Sequence, residues 1–511
     1  MNNKKQVRVR FAPSPTGELH IGGLKTALTN YLFAKKNDGK FILRIEDTDQ
    51  SRLVEGATER VIESLMWAGI EIDEGVKIEK REIVEIGEKG SYVQSKRLDF
   101  YKKYIQQLID EGKAYYCFCS SERLDDLRKK QQLEKLAPKY DRHCLNLSSE
   151  EVQKKIESGE KYVVRFKIPE GKVSYTDLVY GKIEVENDTL DDLILMKSDG
   201  FPTYHLAMAV DDHLMEISHV FRGAEWLPST PKHILLYEAF GWEPPKFCHM
   251  ANILNKSKKK LSKREGSVSV SDFKNQGYPK EAILNFIALL GWNPKTKQEI
   301  FSMDELIREF ESADDVEKNR GFRKMNKAGG VFDLDRLAWI SREHIKQMDV
   351  KDLYEQVIPF LEEKDFYQNS SLLSNFSDEQ KKDYVKKVLT VEKERMEKFT
   401  EAGENNLFFF SEIGNVDKDL LRWKENSDEE TKKALEKAQK VLGEISEEDW
   451  TKENLEKLLL EAAGEKRGDL LFPLRGVLTG AKKSPSPFEC AWVLGKIESL
   501  RRIGRGIESF G

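Results

Sequence analysis

The stretch that most constrains the fold is residues 7–32. Val7, Val9 and Phe11 alternate with Arg8 and Arg10, the period of a strand. A turn containing Pro13, Pro15 and Gly17 follows, and then Leu24, Ala27, Leu28, Tyr31 and Leu32 recur at helical spacing. A strand that passes through a short turn into an amphipathic helix is the opening of a βαβ unit, so the turn sits at the carboxyl edge of a sheet. Gly22 and Gly23 lack the Cβ that would hold a phosphate off the backbone, and the helix behind them offers N–H groups and a positive dipole end. His20 adds a donor beside that anion site. The same residues could also join a strand to a helix with no ligand, and on its own this motif leaves both readings open.

A second element lies far downstream. Residues 256–264 carry Lys256, Lys258, Lys259, Lys260, Lys263 and Arg264, six cations in nine residues, which excludes a buried element. A P-loop is excluded at the first motif, because Gly17 and Gly22 have the required separation but residue 23 is Gly where lysine is needed.

With both motifs in hand, the chain resembles a class I aminoacyl-tRNA synthetase. His20-Ile-Gly-Gly23 stands in the place of the His-Ile-Gly-His signature and Lys260-Leu-Ser-Lys-Arg264 in that of Lys-Met-Ser-Lys-Ser. It is more closely similar to the glutamyl-tRNA synthetase family, bacterial type. The supporting stretches include Phe11–Gly17, Leu43–Asp49, Pro202–Ala207, Val210–Met215, Arg222–Trp226 and Leu494–Ile503, in the family's order.

Bulk properties bound the reading independently. A chain of 511 residues is too long for one core and divides into about three or four domains. With 34% charged residues and no apolar run near the roughly 20 residues of a membrane span, it reads as soluble, and nothing before the first strand reads as a targeting segment, so the expected compartment is the cytoplasm. The net charge of −5 neither requires nor excludes a nucleic acid, since local Lys/Arg patches suffice for one.

Cysteines are few, Cys117, Cys119, Cys144, Cys248 and Cys490, and a disulfide framework is not expected. Cys117 and Cys119 could grip one ion that Cys144 and a fourth group close into a tetrahedron; ordinary buried thiols are the other reading. The spacing is that of zinc-bearing members of the resembled family, where the site lies in the acceptor-stem-binding insertion. The fourth ligand is either Tyr140 or His143.

The expected organisation is an α/β chain. A doubly wound, parallel, Rossmann-type catalytic domain begins in residues 1–94 and resumes in 195–334, which carries the cationic loop and stem-contact helices. An α/β acceptor-binding insertion with the zinc knuckle occupies 95–194. All-α anticodon-binding domains fill 335–511, with helices over residues 379–397 and 430–442 and a polar break at 365–371. The roles of the insertion and of the helical part come from the resemblance.

The resemblance implies ligation of L-glutamate to tRNA-Glu through a glutamyl-adenylate, with ATP and Mg²⁺, by a monomer. No enzyme nucleophile is needed, so catalysis rests on alignment and on neutralising phosphate charge. His20 and the Gly22 and Gly23 backbone would hold the triphosphate. Lys260, Ser262, Lys263 and Arg264 would face it from the loop, and Glu225 and Trp226 would contribute to the adenosine site. For glutamate the matching positions are Arg10, Ala12, Ser14, Glu46, Tyr204, Met208 and Arg222. Arg10, Arg222 and the Tyr204 hydroxyl suit its carboxylates; Ser14 and Glu46 suit its ammonium. Met208 departs from the Asn of many relatives and cannot supply amide donors. Charging of tRNA-Gln as well stays open. Glutaminyl-tRNA synthetase is disfavoured by the helical character after residue 335, and an inactive tRNA-binding paralogue by the survival of His20, Lys260 and Lys263.

Overall fold

The structure, a computed structural model, describes residues 6–261, 268–414 and 416–510. Ser262, Lys263 and Arg264 lie outside the described residues. The chain forms two compact units, one of Met1–Lys274 with Lys280–Leu334, the other of Asn275–Pro279 with Asp335–Gly511.

The first unit is built on two four-stranded sheets. One has the order β1 (Arg8–Phe11), β2 (Lys40–Leu43), β3 (Glu74–Glu79), β4 (Glu82–Ile86), parallel except for the β3–β4 hairpin. A three-stranded antiparallel sheet comprises β5 (Ala114–Cys117), β6 (Val163–Phe166) and β9 (Ile194–Met196). The other four-stranded sheet has the order β10 (His219–Gly223), β11 (Lys246–Met250), β7 (Lys172–Asp177), β8 (Gly181–Glu186). The Ser218 N–H donates to the Arg8 carbonyl at 2.9 Å, which brings the head of β10 beside β1. This is where strand order reverses in a doubly wound fold, and the crevice at the strands' carboxyl ends is the place for a ligand.

The alternation in β1 does not mark a solvent face, because all four residues are buried. Each arginine is tolerated there by a carboxylate from a distant segment: Arg8 forks onto Glu74 at 2.7 and 2.8 Å, and Arg10 meets Asp212. The helix that follows, Ile21–Lys36, is buried on nearly every side, from Leu24 and Leu28 to Asn30 and Phe33, as a central helix of the domain should be. Gly75 is required where β3 crosses β2. Its φ is +116°, and a Cβ there would sit 2.0 Å from the Leu43 carbonyl oxygen.

The segment 95–194 contributes to two sheets. Its β5–β6 pair carries the cysteine cluster, but its β7–β8 hairpin joins the second half of the catalytic fold, where Asp177 pairs in parallel with Phe247 of β11. No hydrophobic pattern distinguishes a hairpin that pairs inside an insertion from one that pairs outside it, and only the partner strand shows the difference.

The second unit is helical, with no strand among its described residues. Helices Val350–Leu361, Asp378–Glu392, Asp428–Glu444, Lys452–Ala463, Arg467–Thr479 and Pro487–Glu508 enclose a core that includes Val357, Val385, Phe409, Leu435, Leu474 and Ile503. Several begin at a capping box, Ser377 with Gln380, Ser427 with Glu430 and Ser486 with Glu489. The polar break expected at 365–371 is not wholly irregular, because Asp365–Gln368 makes one helical turn.

Candidate active site and metal site

A cavity of about 670 Å³ opens at the carboxyl ends of β1, β2, β10 and β11. Its lining brings together Arg10, Ala12, Ser14, Glu46, Tyr204 and Arg222 with His20, Gly22, Gly23, Glu225, Trp226 and Lys260, residues drawn from five separate stretches of sequence. Met208 is not among them. It is fully buried within the helix Tyr204–Leu214, so its lack of amide donors takes nothing from the cavity wall.

The two arginines of the cavity differ electrostatically. Arg10 donates through Nε to both oxygens of Asp212, at 3.1 and 3.2 Å. Asp212 also receives Arg44 at 2.7 Å, and Arg44 reaches Glu46 at 3.0 Å. Asp211 takes Arg97 at 2.7 Å and the Tyr101 hydroxyl at 2.7 Å. Three buried guanidiniums, those of residues 10, 44 and 97, are therefore matched by the three carboxylates of Glu46, Asp211 and Asp212. Burial would push the Asp212 carboxyl up, but Arg10 and Arg44 outweigh it and hold it below its usual range; for Glu46 burial wins and raises it.

Arg222 is buried to 4% exposure and meets only neutral groups among the described residues. It donates to His249 Nε2 at 3.0 Å, to the Tyr204 hydroxyl at 3.1 Å, to Thr230 Oγ1 at 2.8 Å and to His233 Nδ1 at 3.1 Å. A buried cation with no anion is costly, and the nearest remedy is a carboxylate arriving in the cavity.

The His20 ring caps the helix, with Nδ1 accepting the Gly22 N–H at 2.9 Å, while the Ile21 N–H goes to the Val268 carbonyl. The Gly22 amide is thus engaged by His20 itself, contrary to the open donor expected there. Lys260 donates to Glu225 at 2.9 Å across the cavity mouth, and the Tyr204 and Trp226 rings lie 4.1 Å apart between centroids. Lys25, which the helical pattern does not single out, also lines the cavity; burial lowers its pKa to about 8 while it donates to the Ala251 carbonyl at 2.7 Å.

Sequence reasoning assigned no role to Asp211, Asp212, His233 and His249. Two adjacent acids directly after the apolar run Leu206–Val210 and a histidine within the strand Lys246–Met250 were the available signals, since a buried polar residue needs a partner.

In the insertion, the sulfurs of Cys117, Cys119 and Cys144 lie within 4.8 Å of one another. The Tyr140 hydroxyl is 3.3 Å from the Cys117 and Cys119 sulfurs, and Cys119 is 3.5 Å from Cys144. A tetrahedron with metal–sulfur bonds of about 2.3 Å and a metal–oxygen bond of about 2.0 Å has edges of about 3.5–3.8 Å, so four donors already converge to near that size. His143 is exposed and outside the group. The Arg165 guanidinium lies 4.0 Å from the Tyr140 ring centroid, a positive charge that suits a thiolate cluster.

A nucleotide crevice at a strand-order reversal, a helix-capping histidine and a facing lysine define the catalytic domain of a class I tRNA synthetase. Residues 6–326 match the family of tRNA synthetases class I (E and Q), catalytic domain, and residues 352–507 match the anticodon binding domain family. Glutamate–tRNA ligase of Clostridioides difficile is 46% identical, covering 97% of this chain and 98% of that protein, and that of Alkaliphilus metalliredigens is 45% identical, covering 98% of each. The crystal structure of a glutamate tRNA ligase from Elizabethkingia meningosepticum in complex with its amino acid superposes with a TM-score of 0.83 at 35% identity, covering 99% of this chain and 100% of that one. The chain belongs to the glutamate–tRNA ligase family. No described helix is long and apolar enough to cross a membrane.

Proposed function

We propose that the cavity binds ATP and L-glutamate and that the protein joins glutamate to tRNA-Glu in translation, acting as a cytoplasmic monomer. The observation that carries the substrate assignment is Arg222, a buried guanidinium in the cavity wall whose described partners are all neutral. The side-chain carboxylate of glutamate supplies the missing anion, with Tyr204 alongside. Arg10 keeps its terminal nitrogens for the α-carboxylate, because its bonds to Asp212 run through Nε. Glu46 and Ser14 receive the ammonium.

The α-carboxylate oxygen attacks the α-phosphorus of ATP, the bond to the bridging oxygen breaks, and pyrophosphate departs. His20, held by its bond to the Gly22 amide, and Lys260 both line the cavity and stabilise the developing charge; Lys263, Ser262 and Arg264 belong to the same stretch of sequence as Lys260. Gly23 allows close approach, and Glu225 and Trp226 flank the adenosine. Mg²⁺ accompanies ATP as part of the substrate. A terminal ribose hydroxyl of tRNA then attacks the activated carbonyl and AMP leaves.

Cys117, Cys119, Cys144 and Tyr140 would hold Zn²⁺, which would tie the loop after β5 to residues 140–144. The test of the whole reading is aminoacylation of purified tRNA-Glu and tRNA-Gln, side by side, with labelled glutamate. Charging of tRNA-Glu supports it, charging of both makes the enzyme non-discriminating, and charging of neither overturns it.

A further inference from the structure

Arg222 is held by two buried imidazoles whose tautomers follow from their partners. Arg222 has only donors, so His233 accepts at Nδ1, and its Nε2–H then donates to His205 Nδ1 at 2.8 Å. In the same way His249 accepts at Nε2, and its Nδ1–H donates to Asp177 Oδ2 at 2.7 Å. Asp177 is fixed in turn by the Val179 and Tyr180 N–H groups at its other oxygen, 2.9 and 2.8 Å away. The chain His205–His233–Arg222–His249–Asp177 spans five separate elements, and His233, His249 and Asp177 are fully buried. Thr230 completes the set: its hydroxyl donates to the Trp226 carbonyl and so meets Arg222 as an acceptor.

We propose that His233 and His249 are positioning residues that fix the Arg222 guanidinium while leaving its charge unneutralised, and that this neutrality sets the preference for an anionic over an amide side chain in the substrate. The inference rests on the reading that Arg222 receives the glutamate side-chain carboxylate. A carboxylate in place of either ring would orient Arg222 equally well, yet it would compete with the substrate for the charge. The imidazoles avoid that. Burial, then the neighbouring cations, holds His233 far below its ordinary pKa, and burial likewise lowers His249 despite Asp177, so both rings stay neutral through the physiological range.

The test compares near-isosteric pairs in the full chain, by aminoacylation with tRNA-Glu. His233→Asn keeps an acceptor near the Nδ1 position and His233→Asp adds a charge there; Thr230→Asn and Thr230→Asp repeat the comparison at a second contact, should His233→Asp fail to fold. Each aspartate variant is expected to raise KM for glutamate by roughly tenfold or more over its asparagine partner, to leave KM for ATP within about threefold, and to narrow the preference over glutamine. A merely structural role would affect both members of a pair alike, and equal KM values for glutamate within both pairs overturn the proposal. Arg222→Gln is measured in parallel. Wild-type KM for glutamate in that variant overturns the reading on which the proposal rests, whereas a raised KM together with equal pairs overturns the proposal alone.

Discussion

Arg10 and Asp212 face each other through Nε and both carboxylate oxygens, at 3.1 and 3.2 Å, from positions 202 residues apart. Asp212→Asn would remove the carboxylate that Arg10 meets and one of those around Arg44, which keeps Glu46, so the buried cluster would be one anion short. Breaking a buried pair typically costs about 3–5 kcal/mol, so the variant should unfold at clearly lower urea concentration. An unchanged urea midpoint would show that the charge balance beneath the cavity does not support the fold.

Arg222 gives a different expectation, since its described partners are neutral. Arg222→Gln removes a buried charge that no described carboxylate neutralises, and its lost hydrogen bonds to His249, Tyr204, Thr230 and His233 should cost less stability than Asp212→Asn while KM for glutamate rises far more than KM for ATP. A buried charge-assisted hydrogen bond is worth about 1.5–3 kcal/mol, roughly ten- to a hundredfold in KM. The discrimination against glutamine should shrink with it, and steady-state kinetics with both amino acids reads the two effects together.

The contrast between these arginines shows where sequence reading stops. The βα junction was legible from Val7 to Leu32 because its pattern is local, and the cavity's members could be named by resemblance. Their pairing could not, because Asp212, Glu74 and His249 reach β1 or β10 from distant segments and no periodicity encodes such a contact. The alternation of Arg8 and Arg10 with apolar residues gives the strand but not the burial of all its residues, which rests on those distant carboxylates. Met208 read as part of the pocket and lies behind it.

His20→Ala and Lys260→Ala should each reduce ATP–pyrophosphate exchange, measured with tRNA present, by about a hundredfold, the usual cost of one transition-state contact. His20→Ala has a second consequence. It uncaps the helix Ile21–Lys36 at Gly22, which should lower stability by about 1 kcal/mol, whereas Lys260, exposed and in a surface ion pair with Glu225, should cost almost none. Near-wild-type exchange in both variants would remove these residues from the mechanism.

Elemental analysis of protein purified without chelators should find about one zinc per chain. Cys117→Ser, Cys144→Ser and Tyr140→Phe should lose it or bind it more weakly, and His143→Ala should keep it, since that ring is exposed and apart from the sulfurs. Metal retained by Tyr140→Phe and lost by His143→Ala would reverse the assignment of the fourth ligand.

In the helical unit, Glu392 is 5% exposed and accepts from the Gly403 N–H at 2.8 Å and the Asn406 amide. Burial pushes its pKa up to about 7, against an ordinary value of 4.5; the two hydrogen bonds offset only part of that. A carboxyl whose folded pKa is raised binds a proton in the native state that the unfolded chain has already lost. Stability therefore falls as pH rises from about 4.5 to 7 and levels off above, by about 3–4 kcal/mol in all. Glu392→Gln cannot ionise, so its helix Asp378–Glu392 should show hydrogen-exchange protection that, after correction for intrinsic exchange rates, does not decline over this range, while the wild-type helix loses protection. Parallel pH profiles for the two proteins would mean that Glu392 is ionised throughout and that its hydrogen bonds fully offset its burial.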